Sequence, residues 1–543
     1  MSYKKLKLAI LVKEPKVNRY IRDLIIQIQN DPQIDLTYLL ILKDLNKKSG
    51  PLSVVKTIIF KLILLCEQII LFRNRQIVSN MIKIFDLREN FSTIMSVNLK
   101  ELNEKTGETN LSTELLKCNF DLILKMADGT ENIAILNQFA KIGLISAKFS
   151  EDSSNENLLS GFWEVLNKYD TTSFNVNHII SEHMTKAVLS CSFQTRYCFL
   201  LNKSFLYKKS GIHLYNFIKQ IADTRVLPTS NLASHPFKKS SRLYKVNYST
   251  IAAYIFRTIF IVIKKIVRIT VYQGFRWHIV IYNRQFKSSR ISEPRIVPNP
   301  KGRFLADPFL ITHEGRTFCF VEDCDIKTFK GKISYFEVFR DSFSEVKDCF
   351  EESHHLSFPF VFKYENEMYM CPETSENGQI CLYKAVNFPG EWKQVAVLMN
   401  NVRAADTILF EHQKKWWMLT NLDPSNIGDN SSELFLFYAD NPLSTSWTPH
   451  LMNPICVNSL KARNGGFIVD GDGLYRVAQR QAFDKYGASM AIYKILELNE
   501  FSYKESLLQT IEPNYLPDIF GTHHMSGVPD YTALDFYNLE KNY

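Results

Sequence analysis

The chain has 543 residues, of which 45% are hydrophobic and 22% are charged, and its formal net charge is +9 at pH 7. A single core rarely grows past about 250–300 residues, so the length predicts more than one domain, and the composition excludes a disordered chain. Ten cysteines without a C-x-x-C pair argue against a disulfide framework and favour reduced thiols in a cytoplasmic protein.

The first 230 residues alternate strand and helix patterns. Apolar runs at Leu6–Val12, Leu36–Leu42, Phe120–Leu124 and Leu144–Phe149 predict strands, and Tyr20–Gln29 predicts a helix. Such alternation is typical of a doubly wound, mostly parallel α/β sheet. No glycine-rich dinucleotide or phosphate loop follows the first strand. The apolar run at the start is too short for a secretory signal.

Two longer apolar segments, Val54–Phe72 and Ile251–Val271, carry charges along their length. Charges at these points make a membrane-spanning helix costly, so both segments predict amphipathic helices. Each helix either packs on its own domain or lies on the inner membrane face.

Positive charge is concentrated in one part of the chain. Residues 231–300 contain thirteen Lys or Arg and a single acid, Glu293. Aromatic residues are interleaved with these cations, a pattern that favours a membrane surface. Nucleic acid ranks lower as a partner because no nucleic-acid module is visible. A solvated linker face is the structural alternative. We treat residues 231–295 as a basic amphipathic connector.

The last 240 or so residues repeat one pattern: an apolar strand, a short polar turn and an aromatic strand. The copies begin at Asp307, Phe358, Asp406 and Asn464, and a fifth is expected near Thr522. Repeats at this period indicate a propeller whose blades have four strands each. We therefore predict a five-bladed β-propeller over residues 296–543, preceded by the connector and by an α/β domain over residues 1–230.

The propeller segment resembles the domain at the N-terminus of plant glucosamine inositolphosphorylceramide transferases. The matching segments include Arg303-Phe-Leu-Ala-Asp-Pro-Phe309, His355-Leu-Ser-Phe-Pro-Phe360, Met370-Cys-Pro-Glu-Thr374 and Ala405-Asp-Thr407. That domain is similar in turn to the five-bladed propellers of furanosidase-type hydrolases and mannoside phosphorylases.

The first half resembles a formyltransferase-type domain more weakly. Gly161-Phe-Trp-Glu-Val165 stands where that family carries its active-site loop. The Asn-x-His and later Asp of the family are missing from Ser150-Glu-Asp-Ser-Ser-Asn155 and Lys186-Ala-Val-Leu-Ser-Cys191. The resemblance therefore implies a donor-binding or scaffold role rather than formyl transfer.

Acids at equivalent repeat positions are the candidate catalytic residues. Asp307 and Asp406 each open an inner strand and should face the propeller axis, and Glu322 and Glu373 share a position at the end of the second strand. Glycoside chemistry needs two carboxyl groups flanking the bond. We assign Asp307, Asp406 and Glu373 to catalysis. Capping of the turns between blades is the structural alternative.

The fourth repeat departs from the hydrolase pattern. The resemblance implies a general acid there, but the chain has Lys461-Ala-Arg-Asn-Gly-Gly466. Arg463 can clamp a phosphate bidentately, which favours a sugar phosphate or nucleotide sugar over a neutral glycan. The predicted substrate-binding residues are Arg303, Glu322, His355, Arg403, Arg463, Asn464, Arg480, His523 and His524. No metal-binding pattern is found, and no metal or cofactor is predicted.

Four functions follow from these observations. The first is a glycosyltransferase-like enzyme of envelope or capsule glycan or glycolipid synthesis, in the cytoplasm or at the inner membrane face, with a glycan or lipid-linked acceptor. The second is a glycoside hydrolase or phosphorylase of the five-bladed type. The third is a glycan-binding protein without catalysis, and formyl transfer ranks last.

Overall fold

The computed structural model describes residues 4–43, 51–71, 74–103, 110–126, 133–150, 159–182, 184–228, 247–287, 293–471 and 473–541. The chain divides into two compact units, Met1–Ile261 and Val262–Tyr543.

The first unit is built on a mixed sheet. Its described strands are β1 (Leu6–Val12), β2 (Lys16–Asn18), β3 (Ile34–Leu42), β4 (Ile84–Asp86), β5 (Thr93–Val97), β6 (Phe120–Lys125), β7 (Ala140–Phe149), β8 (Thr171–Ile179) and β9 (Thr185–Gln194). Seven of them form one sheet in the order β5-β3-β1-β6-β7-β8-β9, and β2 pairs with β4. The first five strands of that order are parallel and the last two are antiparallel.

The order reverses between β1 and β6, which is the arrangement of a doubly wound sheet. The side chains of β1 are almost all buried, as expected for a central parallel strand covered on both faces. The predicted α/β class is therefore confirmed for this unit. Its likeness to formyltransferases stays a prediction.

Helices follow these strands along the chain, and the last of them begins in the first unit and continues into the second. The described ones are α1 (Arg19–Gln29), α2 (Pro51–Ile70), α3 (Arg75–Ile82), α4 (Leu99–Asn103), α5 (Asn110–Cys118), α6 (Phe162–Asn167), α7 (Phe199–Thr224) and α8 (Tyr248–Val271), with short 3-10 turns at Leu87–Asn90 and Ile133–Phe139. The two predicted amphipathic helices correspond to α2 and α8. Within the described residues, no helix combines the length and apolar character that crossing a membrane requires.

The second unit is a five-bladed propeller of antiparallel sheets. Blade 5 takes its two outer strands, β10 (Tyr272–Tyr282) and β11 (Arg295–Ile296), from the start of the unit. Blade 1 comprises β12 (Arg303–His313), β13 (Arg316–Asp325), β14 (Gly331–Val338) and β15 (Lys347–Phe350). Blade 2 comprises β16 (Ser357–Tyr364), β17 (Glu367–Glu373), β18 (Gln379–Asn387) and β19 (Glu391–Asn400), with a 3-10 turn at Ser375–Asn377.

The remaining blades continue the pattern. Blade 3 comprises β20 (Ala404–His412), β21 (Lys415–Leu422), β22 (Glu433–Ala439) and β23 (Thr448–Pro449), with β24 (Cys456–Val457) also paired to β22. Blade 4 comprises β25 (Asn464–Asp470), β26 (Gly473–Ala482), β27 (Lys485–Leu498) and β28 (Tyr503–Ile511). Blade 5 is completed by β29 (Met525–Gly527) and β30 (Thr532–Lys541).

The propeller therefore closes with strands from both of its ends. β10 pairs with β30 along almost its whole length, which removes the open edge that a last blade would otherwise present. The predicted start at residue 296 left β10 in the connector, so the structure moves the propeller boundary toward the N-terminus. Residues 229–246 and 288–292 of the predicted connector lie outside the described residues.

Candidate active site

The innermost strands of the blades share one irregularity beside the central funnel. In blades 1 to 4 the pairing with the second strand shifts register by one residue. In blade 5 the same shift separates the bridge Gly521–Tyr537 from the pair Met525–Leu534. These β-bulges place five residues at equivalent positions: Asp307, Phe358, Asp406, Gly465 and His523. Bulges often re-aim a side chain next to an active site.

At three of these bulges a residue other than glycine has the left-handed backbone conformation. Asp307, Phe358 and Asp406 have φ values of 50°, 47° and 51°. Such conformations cost of order 1–3 kcal/mol and persist only where the surroundings fix them. Hydrogen bonds from backbone amides help to fix these conformations. The Phe358 amide donates to Asp307 Oδ2 at 3.2 Å, and the Asp406 amide donates to Glu373 Oε2 at 3.4 Å.

Asp406 is held by the half-buried Arg463, just before blade 4, and by the buried Gln479 of that blade. Arg463 Nε donates to Asp406 Oδ2 at 2.7 Å, and Gln479 Nε2 donates to the same oxygen at 3.0 Å. Arg463 Nη2 lies 3.4 Å from Asp406 Oδ1 and 3.8 Å from Glu373 Oε2. Three donor nitrogens are therefore aimed at one carboxylate. Arg463, predicted to clamp a phosphate, instead uses Nε and Nη2 on Asp406.

Asp307 belongs to a second cluster, formed with blade 5. His523 Nε2 lies 3.6 Å from Asp307 Oδ1, and His523 Nδ1 lies 2.6 Å from Asp535 Oδ2. Asp535 Oδ1 accepts from the amides of His523 and His524 at 3.0 and 2.9 Å. Burial alone would lower the pKa of His523, but the carboxylates of Asp535 and Asp307 outweigh it and raise that pKa. The raised pKa favours the protonated form of His523 between these two acids.

Burial raises the pKa values of three acids in the funnel. It raises the pKa of Asp307 to about 7 although the His523 charge opposes the change. It raises the pKa of Glu373 to about 8, with the Asp406 charge adding to the effect and Arg463 opposing it. Burial and the neighbouring acids Asp307 and Glu373 raise the pKa of Glu322 well above its ordinary value. The funnel thus offers protonated carboxyls near pH 7 beside the charge of Asp406.

The predicted equivalence of Glu322 and Glu373 is confirmed by strand register. Glu322 pairs with Ala306 and Glu373 pairs with Ser357, in each case just before the bulge. His355 Nδ1 accepts from the Gly331 amide at 2.9 Å, and its Nε2 lies 3.4 Å from Glu322 Oε1. Burial lowers the pKa of His355.

The other predicted binding residues divide into structural and exposed groups. Arg303 Nε binds Asp323 at 2.5 Å, away from the bulge acids. Asn464 Nδ2 donates to the Asp406 carbonyl oxygen at 2.8 Å and supports the bulge. Arg403 is exposed and Arg480 is half-buried, and neither forms a hydrogen bond or ion pair with a described residue.

His524 lies in an apolar part of the site. Its ring contacts those of Phe309 and Phe358, with centroids 4.4 and 5.3 Å apart. Burial lowers the pKa of His524 to about 3, so its ring is neutral. This residue was predicted to bind substrate, but its surroundings are those of a core side chain.

Three residues of the site were not predicted from the sequence. Gln479 reaches Asp406 from the second strand of blade 4, and Asp535 lies in blade 5 beyond the last copy of the repeat that can be recognised. Tyr486 is 43% exposed, with its ring 5.2 Å from the Arg463 guanidinium and 5.4 Å from the His523 ring. The one sequence signal for these residues is that Asp535 is an acid inside an apolar run.

One group in the funnel could bind a cation. Ligand atoms of Asp307, His523 and Asp535 lie within 4.8 Å of one another, and all three residues are buried. The sequence predicted no metal, and it gave no spacing from which this set could be found. The close pairing of His523 with Asp535 already gives two of the three residues a role as an ion pair.

The predicted formyltransferase-type loop is only partly described. Gly161 precedes α6 with a φ of 83°, and its carbonyl oxygen accepts from Asn202 Nδ2 at 3.0 Å. Glu164 is buried and accepts from Ser150 Oγ at 2.6 Å. Residues 151–158, which include most of the segment compared with the Asn-x-His motif, lie outside the described residues.

Solved structures that align with part of this chain include glycoside hydrolases. The catalytic domain of a family 62 α-L-arabinofuranosidase from Coprinopsis cinerea is 12% identical, with a TM-score of 0.35, over 49% of this chain and 98% of that one. A family 32 β-fructofuranosidase from Bombyx mori is 11% identical, with a TM-score of 0.35, over 51% of this chain and 60% of that one.

Sequence comparison gives a closer relationship. The glucosamine inositolphosphorylceramide transferase 1 of Arabidopsis thaliana is 37% identical over 209 residues, and that of Oryza sativa subsp. japonica is 36% identical over 208 residues. The matched region is 37% of this chain and 27% of each relative, so the chain spans little more than a quarter of their length. Residues 294–514 also match the family profile described as the N-terminal part of glucosamine inositolphosphorylceramide transferase 1. The resemblance predicted for the propeller is therefore confirmed.

Proposed function

We propose that the chain is a glycosyltransferase of glycolipid or envelope glycan synthesis, and that the propeller funnel binds and activates the sugar. The observation that carries the proposal is the pairing of two unlike carboxyls: Asp406 accepts from Arg463 at 2.7 Å, whereas burial raises the pKa of Glu373 to about 8. A buried carboxyl with a raised pKa can donate a proton beside a carboxylate that is paired with a cation. The transferase names of the 37% identical relatives support the same reaction class.

In this proposal each carboxyl has a separate task. Glu373 gives its proton to the oxygen that leaves the anomeric carbon. Asp307, whose pKa lies near 7, takes the proton of the acceptor hydroxyl as the new glycosidic bond forms. The charge of Asp406 stabilises the oxocarbenium-like centre between these two events. Tyr486 presents an exposed ring on which a sugar can stack.

The donor is proposed to be a sugar phosphate or nucleotide sugar, with a glycan or lipid-linked acceptor. Because Asp406 occupies Arg463, the phosphate needs other cations. Arg403 and Arg480 are available, since neither has an ionic partner among the described residues. Arg403 stands three residues before Asp406 on the approach to the same bulge.

A hydrolase or phosphorylase is the second candidate, and Glu373 is the observation that favours it. The absence of an acid from the fourth repeat argued against hydrolysis, but blade 2 supplies a protonated carboxyl in the same funnel. The two candidates differ only in whether water, phosphate or an acceptor hydroxyl attacks.

The test is incubation of the full chain with a panel of nucleotide sugars and soluble acceptor analogues, with products separated by mass spectrometry. Glu373→Gln and Asp307→Asn should each lower transfer by at least about 100-fold. Glu391→Gln, on the exposed outer strand of the same blade, is the matched control. Release of free sugar without acceptor would support the hydrolase, and phosphate-dependent release the phosphorylase. Transfer that survives both substitutions would remove the funnel as the active site.

A further inference from the structure

Two helices of the first unit expose apolar stripes. On α2 these are Ile58, Leu62, Leu65 and Ile69, spaced four, three and four residues apart, so they share one face. On α8 the exposed residues Ile255, Phe256 and Ile259 form a second stripe. Phe256 is 74% exposed and Ile69 is 71% exposed, which are high values for large apolar side chains on a folded unit.

Both helices are anchored through their opposite faces at the beginning of α7. Glu67 Oε2 accepts from the Leu200 amide at 2.6 Å, and Glu67 Oε1 accepts from the Tyr254 hydroxyl. The same hydroxyl accepts from the Phe199 amide at 2.8 Å. Tyr254 is 1% exposed and Glu67 is 3% exposed. The apolar stripes therefore point away from the body of the unit.

The exposed charges described on these helices have one sign. Glu67 is the only acid in either helix, and it is turned inward. Among the described side chains that these helices contribute to the first unit, the cations are Lys61 on α2, which is exposed, and Arg257 on α8, which donates to the Leu166 carbonyl oxygen. An outward face that combines these apolar residues with Lys61 and, among its described side chains, carries no anion complements an anionic lipid surface. It fits a protein partner or a second copy of the chain less well, because like charges would meet across a symmetric contact.

We propose that α2 and the first half of α8 form a membrane-docking surface that lies in the headgroup region of an anionic bilayer. The stripes enter the acyl boundary and Lys61 contacts a lipid phosphate. This proposal extends the proposed function, since it would keep the enzyme beside a lipid-linked acceptor. It also gives a physical basis to the expected location at the inner membrane face.

The test is flotation of the full chain with phosphatidylcholine vesicles, with and without phosphatidylglycerol. We expect binding to the anionic vesicles that weakens with salt. Phe256→Glu and Leu62→Glu should each reduce it by about tenfold or more, and Lys61→Gln by about fivefold. Phe501→Glu is the matched control, since Phe501 is 72% exposed in the second unit and should leave binding unchanged. Circular dichroism checks that the variants are folded.

Three results would overturn the proposal: no binding to anionic vesicles, binding that survives both Glu substitutions, or a lipid-free dimer that the same substitutions disrupt. Transfer to a water-soluble acceptor separates this proposal from the proposed function. Phe256→Glu should leave soluble transfer intact, so loss of docking with intact transfer supports the surface. Docking by a chain without detectable transfer would leave the surface standing and remove only the enzymatic proposal.

Discussion

Stability of the propeller should fall as pH rises, and Glu373 should cause much of the fall. Burial raises the pKa of this carboxyl from 4.5 to about 8. Between those values the native chain holds a proton that the unfolded chain has released. The free energy of unfolding therefore decreases with rising pH. One pKa unit corresponds to about 1.4 kcal/mol, so this group accounts for about 3 kcal/mol between pH 5 and pH 8.

Glu373→Gln should abolish this part of the pH dependence, because glutamine keeps the shape and an acceptor oxygen but cannot ionise. At pH 5 the variant should be within about 1 kcal/mol of the wild type, and at pH 8 it should be more stable by about 3 kcal/mol. Denaturant unfolding followed by tryptophan fluorescence measures the difference. Five of the six tryptophans lie after residue 262, so the signal reports mainly on the propeller.

Asp307, whose pKa is raised to about 7, should leave a smaller slope of the same sign in the variant. Glu391→Gln is again the control, because Glu391 is an exposed acid of the same blade, and its removal should not change the slope. The reasoning is refuted if wild type and Glu373→Gln lose stability equally between pH 5 and pH 8. That result would mean that Glu373 is ionised in the native funnel, and it could not then be the proton donor.

Three further predictions concern neighbouring residues. Asp406→Asn leaves the half-buried Arg463 without its closest carboxylate and should lower the unfolding free energy by about 3 kcal/mol in denaturant titrations. Gly465→Ala places a methyl group 2.2 Å from the carbonyl oxygen of His523 and should cost about 2 kcal/mol or more by the same measurement, whereas equal stability would contradict the packing. Tyr486→Ala should weaken sugar binding about fivefold in calorimetry while Tyr486→Phe should not, and equal losses would assign the contact to the hydroxyl.

The repeat made the propeller predictable because each inner strand is a local pattern of buried residues beside an aromatic strand. The copies starting at Asp307, Phe358 and Asp406 each reach the funnel at the predicted position. Closure of blade 5 could not be predicted in the same way. The pairing of β10 with β30 joins segments about 260 residues apart, and neither segment carries the repeat.

The candidate catalytic acids could be predicted from the sequence more easily than the residues that contact them. Asp307, Asp406 and Glu373 stand at repeat-equivalent positions, so their convergence follows from the symmetry of the blades. Gln479 and Asp535 reach the site only through contacts between blades, and no sequence spacing encodes those contacts. For the same reason, the charge of Arg463 could be read from the sequence, but its ion pair with Asp406 could not be predicted.

The missing acid of the fourth repeat is explained by packing rather than by the chemistry of a phosphate substrate. Strand register places Gly465, rather than Arg463 or Asn464, at the position of Asp307 and Asp406. The next blade approaches so closely that any Cβ at this position would overlap the His523 carbonyl oxygen. An acid cannot stand there for reasons of packing, so its absence says nothing about phosphate or about hydrolysis. The chemistry must be argued from the carboxyls that are present, and the protonation of Glu373 beside the charge of Asp406 is the feature that a glycosyl-transferring site requires.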